Sequence, residues 1–480
     1  MTREQGVLAT LIAYKLALVA IGLLARGRNK DAADFFLGGR SLGPLVAAIS
    51  ASASSSSAWT LLGVSGFAYG FGLSAIWIFP SCVGGFVINW YILAPALRRY
   101  APAGRALTVT EILAGPPGRS GQRGVTVVAS LIVLVFMTSY VASQFQGAGK
   151  TFNETFGWSI EASVLIGAAI VVFYTLLGGF WAVSISDTLQ GLAMAATSLV
   201  LPALAIAAVG GPTGLAGGMS DVAAAGYTDP LNGLGLTGGF GFVLGLFGIG
   251  LGYPGQPHVV NRFIALREGE SQLRRARMIA MAWAVIVYSG MLTLGWCGRI
   301  LYPHLADSEV VFITAANELC HPVLAGVMIA AVLSAIMSTA DSQLLVAASS
   351  VTYDMPARRP DAKALLSGSR KVVLILSVAA TVAALYGPRE IFSPVLVAFA
   401  AMGAAFGPLL LVTVFGKPLS PRRTLAAMLT GLGLTIAGAA YRALAGGTWG
   451  AASERVLPVI VAFAICLWPG GGEEREVASE

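Results

Sequence analysis

The sequence predicts an all-α integral membrane protein with about thirteen transmembrane helices. Of its 480 residues, 56% are hydrophobic, only 11% are charged and 59 are glycine. Soluble domains carry about 25% charged residues, so this composition indicates a chain that lies in lipid. A bilayer core requires about 20 largely apolar residues per helix, and such segments recur along the chain. They lie at 5–25, 42–69, 72–96, 124–150, 159–179, 187–209, 233–257, 276–301, 318–351, 371–387, 392–416, 424–442 and 455–470.

The first predicted segment, within residues 1–30, is read as an extra N-terminal transmembrane helix. It is too long for a signal peptide and lacks an evident small-residue cleavage site before Arg26. Lys15 lies inside this segment, and we interpret it as a lysine whose amine reaches towards the lipid headgroups.

Basic residues predict the orientation of the chain in the cell membrane. An odd number of helices places the two ends on opposite sides, and cytoplasmic connections carry an excess of Lys and Arg. With the N-terminus outside, most of the 30 basic residues and the tail 471–480 are cytoplasmic. These residues cluster at 26–40, 98–123, 262–277, 358–371 and 417–423, and Arg262 is among them. The net charge of +7 therefore reflects topology and not nucleic-acid binding.

The sequence argues against several classes of protein. His258, His304 and His321 show no metal-ligand spacing, the four cysteines are widely separated, and no Walker-type loop appears. We therefore expect that the protein has no organic cofactor, is not driven by ATP and is not an enzyme. The longest polar connections are shorter than about thirty residues, so neither a soluble domain nor an obligate protein partner is evident. A secondary transporter, a channel or an embedded receptor remains.

Two of the predicted helices are interrupted. Residues 49–59 hold a run of serines inside an apolar segment, and residues 248–258 combine glycine with proline, which lowers helix propensity. Small residues also allow close helix packing, and serines can bond back to the preceding turn. Secondary transporters, however, often break one helix in each of two repeats to expose backbone groups to substrate and ion. A matching interruption in each half favours a binding site.

The interruptions lie five helices apart, which predicts an inverted repeat. Helices two to six form a first five-helix repeat at 42–209, and helices seven to eleven form a second at 233–416. An odd number of helices in each repeat forces opposite orientations in the membrane. Two C-terminal transmembrane helices follow at 424–470.

The ninth segment carries a cluster of hydroxyl groups. Sodium is a hard cation that prefers oxygen ligands, so a buried site for it needs hydroxyls and free carbonyls. On a helix, Ala335, Ser338 and Ser342 share one face, and Thr339 lies one step around it. The spacing therefore predicts a cation site on this segment.

Two acids and one polar patch each have two interpretations. Asp341, well inside a segment, is either functional or paired with a basic loop residue near the cytoplasmic exit. Asp187, at the start of the sixth segment, is either functional or a helix N-cap. The patch on the fourth segment lines a cavity or bonds a neighbouring helix, and Tyr140 is the preferred substrate contact. It consists of Tyr140, Ser143, Gln144 and Gln146.

Four stretches resemble the sodium/solute symporter family, and within it the bacterial sodium/proline symporters most closely. They lie at 36–44, 176–188, 250–258 and 337–346, and the similarity extends from about residue 30 to 440. The resemblance implies the five-plus-five inverted-repeat fold of the bacterial leucine transporter, alternating access around a central site, and Na⁺ as the coupling ion.

The resemblance also implies ion-binding residues. The sodium ligands would be the carbonyls of Ala53, Ser56 and Ala335 and the hydroxyls of Ser338 and Thr339. A candidate second ion or proton site would comprise Asp187, Asp341 and Ser342.

The expected solute site departs from the family pattern in several places. Proline symporters carry Asp-Met-Ser-Gly at 55–58, a tryptophan at Ile249 and a phenylalanine at Pro254. The substrate-binding residues implied by the resemblance are Ser55, Ser57, Ala58, Trp59, Tyr140, Gln144, Ile249, Tyr253, Pro254 and Pro257. We therefore expect sodium-coupled symport of proline or a similar small organic solute. Symport of a sugar, monocarboxylate or vitamin, proton-coupled uptake through Asp341 or Asp187, and a solute sensor on a transporter scaffold stay as alternatives.

Overall fold

A computed structural model of the protein describes residues 3–25, 40–100, 107–115, 120–177, 180–356, 361–416 and 419–468. The basic stretch 26–39, the Gly178–Gly179 pair and the tail 471–480 lie outside these ranges. Within them, the one β contact is an isolated bridge between Leu42 and Leu266. The α-helices in chain order are α1 Arg3–Ala25, α2 Pro44–Ser55, α3 Val64–Phe71, α4 Ile78–Val87, α5 Ala94–Tyr100, α6 Val109–Ala114, α7 Gln122–Phe156, α8 Ile160–Leu177, α9 Phe180–Ala208, α10 Gly211–Asp221, α11 Leu236–Leu251, α12 Pro257–Ala265, α13 Glu270–Leu301, α14 Val311–Leu319, α15 Pro322–Ser349, α16 Ala362–Tyr386, α17 Phe392–Phe415, α18 Pro421–Ala445, α19 Gly450–Arg455 and α20 Leu457–Leu467.

The helices follow the predicted membrane segments. Ten stretches among the described residues are long and apolar enough to cross a membrane, and one of them, Trp59–Tyr100, spans the end of one predicted segment and all of the next. Together with α1 and the shorter apolar helices Pro44–Ser55 and Ile160–Leu176, they account for each of the thirteen predicted segments. The all-α membrane class is therefore confirmed.

The first interruption lies at the end of α2. Ser56 is extended, with φ −122° and ψ 91°, and its N–H donates to the carbonyl of Ala53. The chain then resumes through the π-helical turn Trp59–Gly63 into α3. Within α2, the hydroxyls of Ser52 and Ser55 bond back to carbonyls of the preceding turn. The serine run thus ends a helix inside the protein, as the sequence predicts.

The second interruption separates α11 from α12. A 3₁₀ turn, Tyr253–Gly255, is followed by the extended residue Gln256, and Pro257 then occupies the first turn of α12. A Cβ at Gly255 would lie 2.5 Å from the carbonyl of Met402, so α17 packs directly against this break.

The predicted end of the seventh segment at residue 257 is wrong, because the chain continues as α12 to Ala265. Sequence hydropathy misses this half-helix since it contains His258, Asn261 and Arg262. All three are nevertheless buried. The interpretation of Arg262 as a cytoplasmic loop charge is therefore also wrong.

Helix α15 lies at the centre of the molecule and packs against α1, α2, α7 and α9. Small residues permit close packing among the helices next to α15. A Cβ at Gly191 of α9 would overlap Ile49 of α2, and a Cβ at Gly290 of α13 would overlap the carbonyl of Ser198. This packing brings the first break alongside the hydroxyl groups of α15.

The interpretation of Lys15 as a residue that reaches towards the headgroups is wrong. Its amine contacts the sulfur of Met337 on α15, and the neighbouring Tyr14 hydroxyl lies 2.5 Å from the hydroxyl of Ser334. The N-terminal helix is thus joined to the central helix by polar contacts.

Candidate ion and substrate site

A cluster of buried oxygens lies where α15 passes the end of α2. The Ser338 hydroxyl is 3.3 Å from the carbonyl oxygen of Ala53 and 3.2 Å from that of Ala335. The Thr339 hydroxyl donates to the carbonyl of Ser54 over 3.2 Å. Because α2 ends here, its last carbonyls lack the partners that a continuous helix would supply. The arrangement offers hydroxyls and carbonyls without a formal charge.

The five residues named as sodium ligands are not all joined by direct contacts. Ala53, Ala335 and Ser338 meet at one hydroxyl, whereas Thr339 bonds Ser54, one residue beyond Ala53. Ser56 reaches Ala53 through its backbone N–H over 3.2 Å. His258, whose Nε2 lies 3.2 Å from the Ser54 carbonyl, joins the same group from α12. This histidine is buried within α12.

Asp187 and Arg262 form a fully buried ion pair next to this cluster. Arg262 Nη2 lies 2.9 Å from Asp187 Oδ2, and the two side chains are 1% and 0% exposed. The hydroxyls of Ser50 and Ser54 donate to the same carboxylate oxygen over 2.8 Å and 3.1 Å. Arg262 also donates to Ser342 over 2.6 Å. We call these five residues the inner cluster.

The N-cap interpretation of Asp187 is wrong. Helix α9 begins at Phe180, so Asp187 lies in its interior and makes its hydrogen bonds with α2 and α12. A buried ion pair costs several kcal/mol of desolvation per ion unless hydrogen bonds satisfy both partners. The inner cluster, drawn from four helices, supplies such bonds to Asp187 Oδ2, whereas Oδ1 has no partner among the described residues.

Asp341 stands apart from this pairing. It is fully buried on α15, and neither of its carboxylate oxygens has a hydrogen-bond partner among the described residues. Among the described residues, Asp341 therefore forms no ion pair with a basic loop residue, which was one of its two interpretations. A buried carboxylate without a partner takes up a proton or a cation.

Tyr140 and Gln144 on α7 reach the first break from the opposite side. The Tyr140 hydroxyl is 3.2 Å from that of Ser57, and the Ala58 N–H donates to Gln144 Oε1 over 3.0 Å. Gln144 Nε2 and Trp59 Nε1 are buried donors with no partner in the described structure. Unpaired buried donors are costly, so two at one break indicate a place for an acceptor group.

Aromatic rings connect the first break to the second. The Tyr288 hydroxyl on α13 lies 2.7 Å from that of Tyr253 and 3.5 Å from that of Ser56. Trp59 packs edge-on against Tyr288, with centroids 6.4 Å apart, and stacks on Phe392 at 5.8 Å. Sequence reasoning missed Tyr288 because a single tyrosine on an apolar helix carries no signal of its own.

The remaining substrate candidates surround the breaks without a shared polar contact. The Ser55 hydroxyl bonds back to Ser52, and Ile249 is buried at the end of α11. Pro254 faces Gly407 of α17, and Pro257 begins α12. The structure therefore brings the substrate candidates of the first break together with Tyr253 and leaves Ser55 bonded within its own helix.

A cavity of 860 Å³ opens on the face that holds the connection between α13 and α14. Phe67 and Phe392 line it, and their rings stack at 4.8 Å. Trp59 lies immediately beyond, stacked on Phe392. These three rings therefore separate the outer cavity, as we call it, from the first break.

Two buried charged residues, Lys150 and Glu309, and the half-exposed Asp307 hold one wall of the outer cavity. Lys150 lies 2.5 Å from Glu309 and 2.7 Å from Asp307. Glu309 also accepts hydrogen bonds from the N–H groups of Ile391 and Phe392, at the start of α17. A carboxylate is favoured at a helix N-terminus because it accepts the unpaired N–H groups there. No pattern in the sequence predicts this contact.

Comparison with known proteins decides the family of the chain. Residues 35–431 match the model of the sodium:solute symporter family. The chain belongs to the sodium:solute symporter family. The predicted class of sodium-coupled secondary transporter is thereby confirmed, and so is the expectation that the protein is not an enzyme.

Curated relatives cover most of this symporter. The high-affinity proline transporter PutP of Bacillus subtilis is 37% identical over 87% of this chain and 89% of its own length. The osmoregulated proline transporter OpuE of the same organism is 35% identical over 88% and 87%. A sodium/proline symporter of Staphylococcus aureus is 35% identical over 87% and 83%.

Solved structures confirm the leucine-transporter-like fold of the symporter. A Na⁺-coupled sialic acid symporter in a substrate-bound, outward-open state matches with a TM-score of 0.77 over 96% of this chain and 98% of its own, at 16% identity. Mhp1, a nucleobase-cation-symport-1 family transporter in a closed conformation, matches with a TM-score of 0.57 over 93% and 96%, at 13% identity.

Proposed function

We propose that this symporter couples the downhill entry of sodium to the uptake of proline or a closely similar small solute. The relatives that cover most of the chain are proline transporters, which supports proline as the first solute to test. The buried oxygen cluster between α2 and α15 is the observation that carries the coupling half of the proposal.

The sodium site is proposed at the carbonyls of Ala53, Ser56 and Ala335 and the hydroxyls of Ser338 and Thr339. The Ser338 hydroxyl already lies within 3.3 Å of two of these carbonyls. A sodium ion would take their oxygens as ligands, and the hydroxyls would turn their lone pairs towards it. Binding would therefore join the end of α2 to the middle of α15.

A second cation, sodium or a proton, is proposed at Asp341 with Ser342 and Asp187. Asp187 already forms an ion pair with Arg262, whereas the Asp341 carboxylate has neither a direct ion pair nor a hydrogen-bond partner among the described residues. A cation at Asp341 would remove the free energy cost of an isolated buried carboxylate. This acid lies one turn from Ser338, so the two ions would influence each other.

The solute is proposed to bind between the two breaks. Among the described residues, Trp59 Nε1 and Gln144 Nε2 are donors without a partner, which fits a carboxylate, and Tyr140, Ser57 and Tyr253 supply hydroxyls nearby. The other implied residues, Ser55, Ala58, Ile249, Pro254 and Pro257, shape the pocket. Because Ser55 carries no charge, the amine of a solute would depend on backbone carbonyls for its orientation.

Alternating access is proposed between the outer cavity and the sealed opposite half. The positive-inside pattern supports an orientation in which the outer cavity faces outside, the N-terminus is external and the C-terminus is cytoplasmic. The proposed repeats at 42–209 and 233–416 would move relative to each other. If sodium tightens solute binding by ordering the end of α2, the solute must tighten sodium binding by the same factor.

Uptake of radiolabelled proline into proteoliposomes tests the proposal. An inward sodium gradient is compared with an equal potassium gradient, and unlabelled amino acids, sugars and carboxylates compete in parallel. We expect saturable uptake that requires sodium and is blocked by excess proline. Uptake driven equally well by a pH gradient in sodium-free buffer would overturn sodium coupling and favour a proton at Asp341.

A further inference from the structure

The outer cavity contains a second charged wall, which the central site does not use. It is built by the hairpin of α18 and α19, whose turn contains Gly446 and Gly447 with φ of +63° and +88°. Glu454 is fully buried in this hairpin and accepts hydrogen bonds from Arg442 over 2.6 Å and from Arg455 over 3.1 Å. Two guanidinium groups thus share one carboxylate, which leaves one net positive charge.

The two helices of the hairpin pack closely against each other and against α11, the helix before the second break. A Cβ at Gly438 would lie 2.6 Å from the Cα of Glu454, and a Cβ at Gly245 would lie 2.6 Å from Ala451. Arg455 donates across this contact to the carbonyl of Gly245 over 3.2 Å. The position of both arginines is therefore set by close backbone packing.

Both arginines line the outer cavity. Arg455 is 5% exposed, whereas Arg442 is 29% exposed and only its Nε bonds Glu454. The terminal nitrogens of Arg442 make no hydrogen bond to another described residue. The edge formed by Nη1 and Nη2 is therefore free to face the cavity, and such an edge suits a carboxylate because it can bind both oxygens at once.

The other charged groups of the cavity lining oppose this positive wall. Lys150 lies against Asp307 and Glu309, and Arg389 is followed directly by Glu390. These five groups carry one net negative charge, whereas the arginine cluster carries one net positive charge. The cavity therefore presents separate positions of opposite charge, the pattern that orients a zwitterion.

We propose that Arg442 and Arg455 form a carboxylate-binding subsite in the outer cavity, where an amino acid or another carboxylate solute binds before it enters the central site. This inference rests on the proposed function for the identity of the solute. The binding itself requires neither sodium nor transport, so the two proposals can fail separately.

A cysteine reporter measures this subsite without transport. The four natural cysteines are buried, so Thr448→Cys, in the cavity lining, supplies the reactive thiol for a hydrophilic maleimide. Labelling is carried out in sodium-free potassium buffer with proline, acetate or prolinamide. We expect proline and acetate to slow labelling about fivefold or more, and prolinamide, which lacks the carboxylate, to leave it unchanged. Equal protection by prolinamide would overturn the subsite.

Arg442→Gln is the decisive variant. It leaves Glu454 paired with Arg455, so the hairpin keeps a neutral buried pair. We expect that proline no longer protects the reporter thiol from labelling in this variant, and that Arg442→Lys retains part of the protection. Arg389→Gln, on the same rim, removes an equal charge without touching Glu454 and should keep full protection. If Arg389→Gln abolishes protection as well, the effect comes from the general potential of the cavity and the subsite is wrong.

The wild-type uptake assay separates the two proposals. Protection that depends on Arg442, together with no sodium-driven proline uptake, would keep the subsite and reject the proposed function. Sodium-driven uptake with no protection by any carboxylate would keep the proposed function and reject the subsite. Thermal unfolding of each variant, measured beside the wild type, shows whether an altered result reflects lost folding.

Discussion

The two ends of the proposed transport path are closed by different physical means. On the outer side, a cavity of 860 Å³ reaches the stacked rings of Phe67 and Phe392. On the opposite side, the space beside Arg262 and Ser342 is only 10 Å³, which holds at most a single water. A thin aromatic layer separates the central site from one face, whereas a network of charges and hydroxyls separates it from the other.

This difference predicts an asymmetric cycle. Aromatic rings can part by rotamer changes, which are fast and require no charge to be exposed. Opening the inner half must separate Arg262 from Asp187 or move both into a wet space together. The free energy for that step has to come from ion and solute binding, which is the condition for coupled transport.

The largest expected effect comes from Asp187→Asn. This change leaves Arg262 buried without its counter-charge, which costs about 3–5 kcal/mol. We expect sodium-driven uptake to fall at least about 100-fold and the protein to unfold at a lower temperature. Initial uptake rates and thermal unfolding of purified protein check both effects.

The double variant Asp187→Asn with Arg262→Gln is the matched control. It removes both charges, so most of the lost thermal stability should return while coupled uptake stays low. If the single variant is as stable as the wild type, the ion pair does not hold the inner half closed, and the proposed contrast between the two ends is wrong.

The inner cluster also shows what the sequence can and cannot predict. Apolar length located the helices, and the serine and glycine-proline runs located both breaks, because these features depend on local backbone preference. The sequence predicts Arg262 in a connection because it lies beyond the predicted end of the seventh segment and begins a cluster of basic residues. Its burial depends on Asp187, 75 positions away in the chain. Long-range charge pairing has no local pattern, so only the fold reveals it.

A smaller effect is expected from Ser338→Ala at the proposed sodium site. The hydroxyl that joins Ala53 to Ala335 would be lost, while the helix would be kept. We expect the sodium concentration for half-maximal uptake to rise about 10-fold or more, as for loss of one hydrogen bond to a charged group. Ser334→Ala, one turn earlier on the same helix, should leave the sodium requirement unchanged. An equal rise in both variants would reject the site.

The outer side should respond less to Glu309→Gln. The amide oxygen can still accept from the N–H groups of Ile391 and Phe392, and Lys150 retains Asp307. We expect uptake to fall about fivefold, in line with about 1 kcal/mol for one weakened charge-assisted bond. Glu390→Gln, at the exposed rim, serves as the control and should change uptake less than twofold. If Glu309→Gln reduced uptake as much as Asp187→Asn, the outer and inner ends would depend equally on charged contacts, and the contrast between them would be wrong.

Glu309 was missed for the same reason as Arg262. It lies in a polar connection, where an acid needs no explanation, and its partners are on α7 and at the start of α17. The hydroxyls of α15, by contrast, can be read from the sequence because three of them, Ser338, Thr339 and Ser342, lie within two helical turns of an apolar segment. Local clustering made the candidate ion site predictable, whereas the charged contacts at both ends required the packed helices.

The smallest effect is expected from Tyr253→Phe, midway between the two closures. The change removes one hydroxyl bond to Tyr288 and keeps the ring that packs against Phe86 and Phe399. A single neutral hydrogen bond contributes about 0.5–1.5 kcal/mol, so we expect the KM for proline to rise about threefold with the sodium requirement unchanged. Tyr227→Phe, whose hydroxyl bonds the Ala68 carbonyl away from both breaks, should leave the KM unaltered. A shift in sodium requirement with Tyr253→Phe would instead mean that the second break, like the first, takes part in binding the ion.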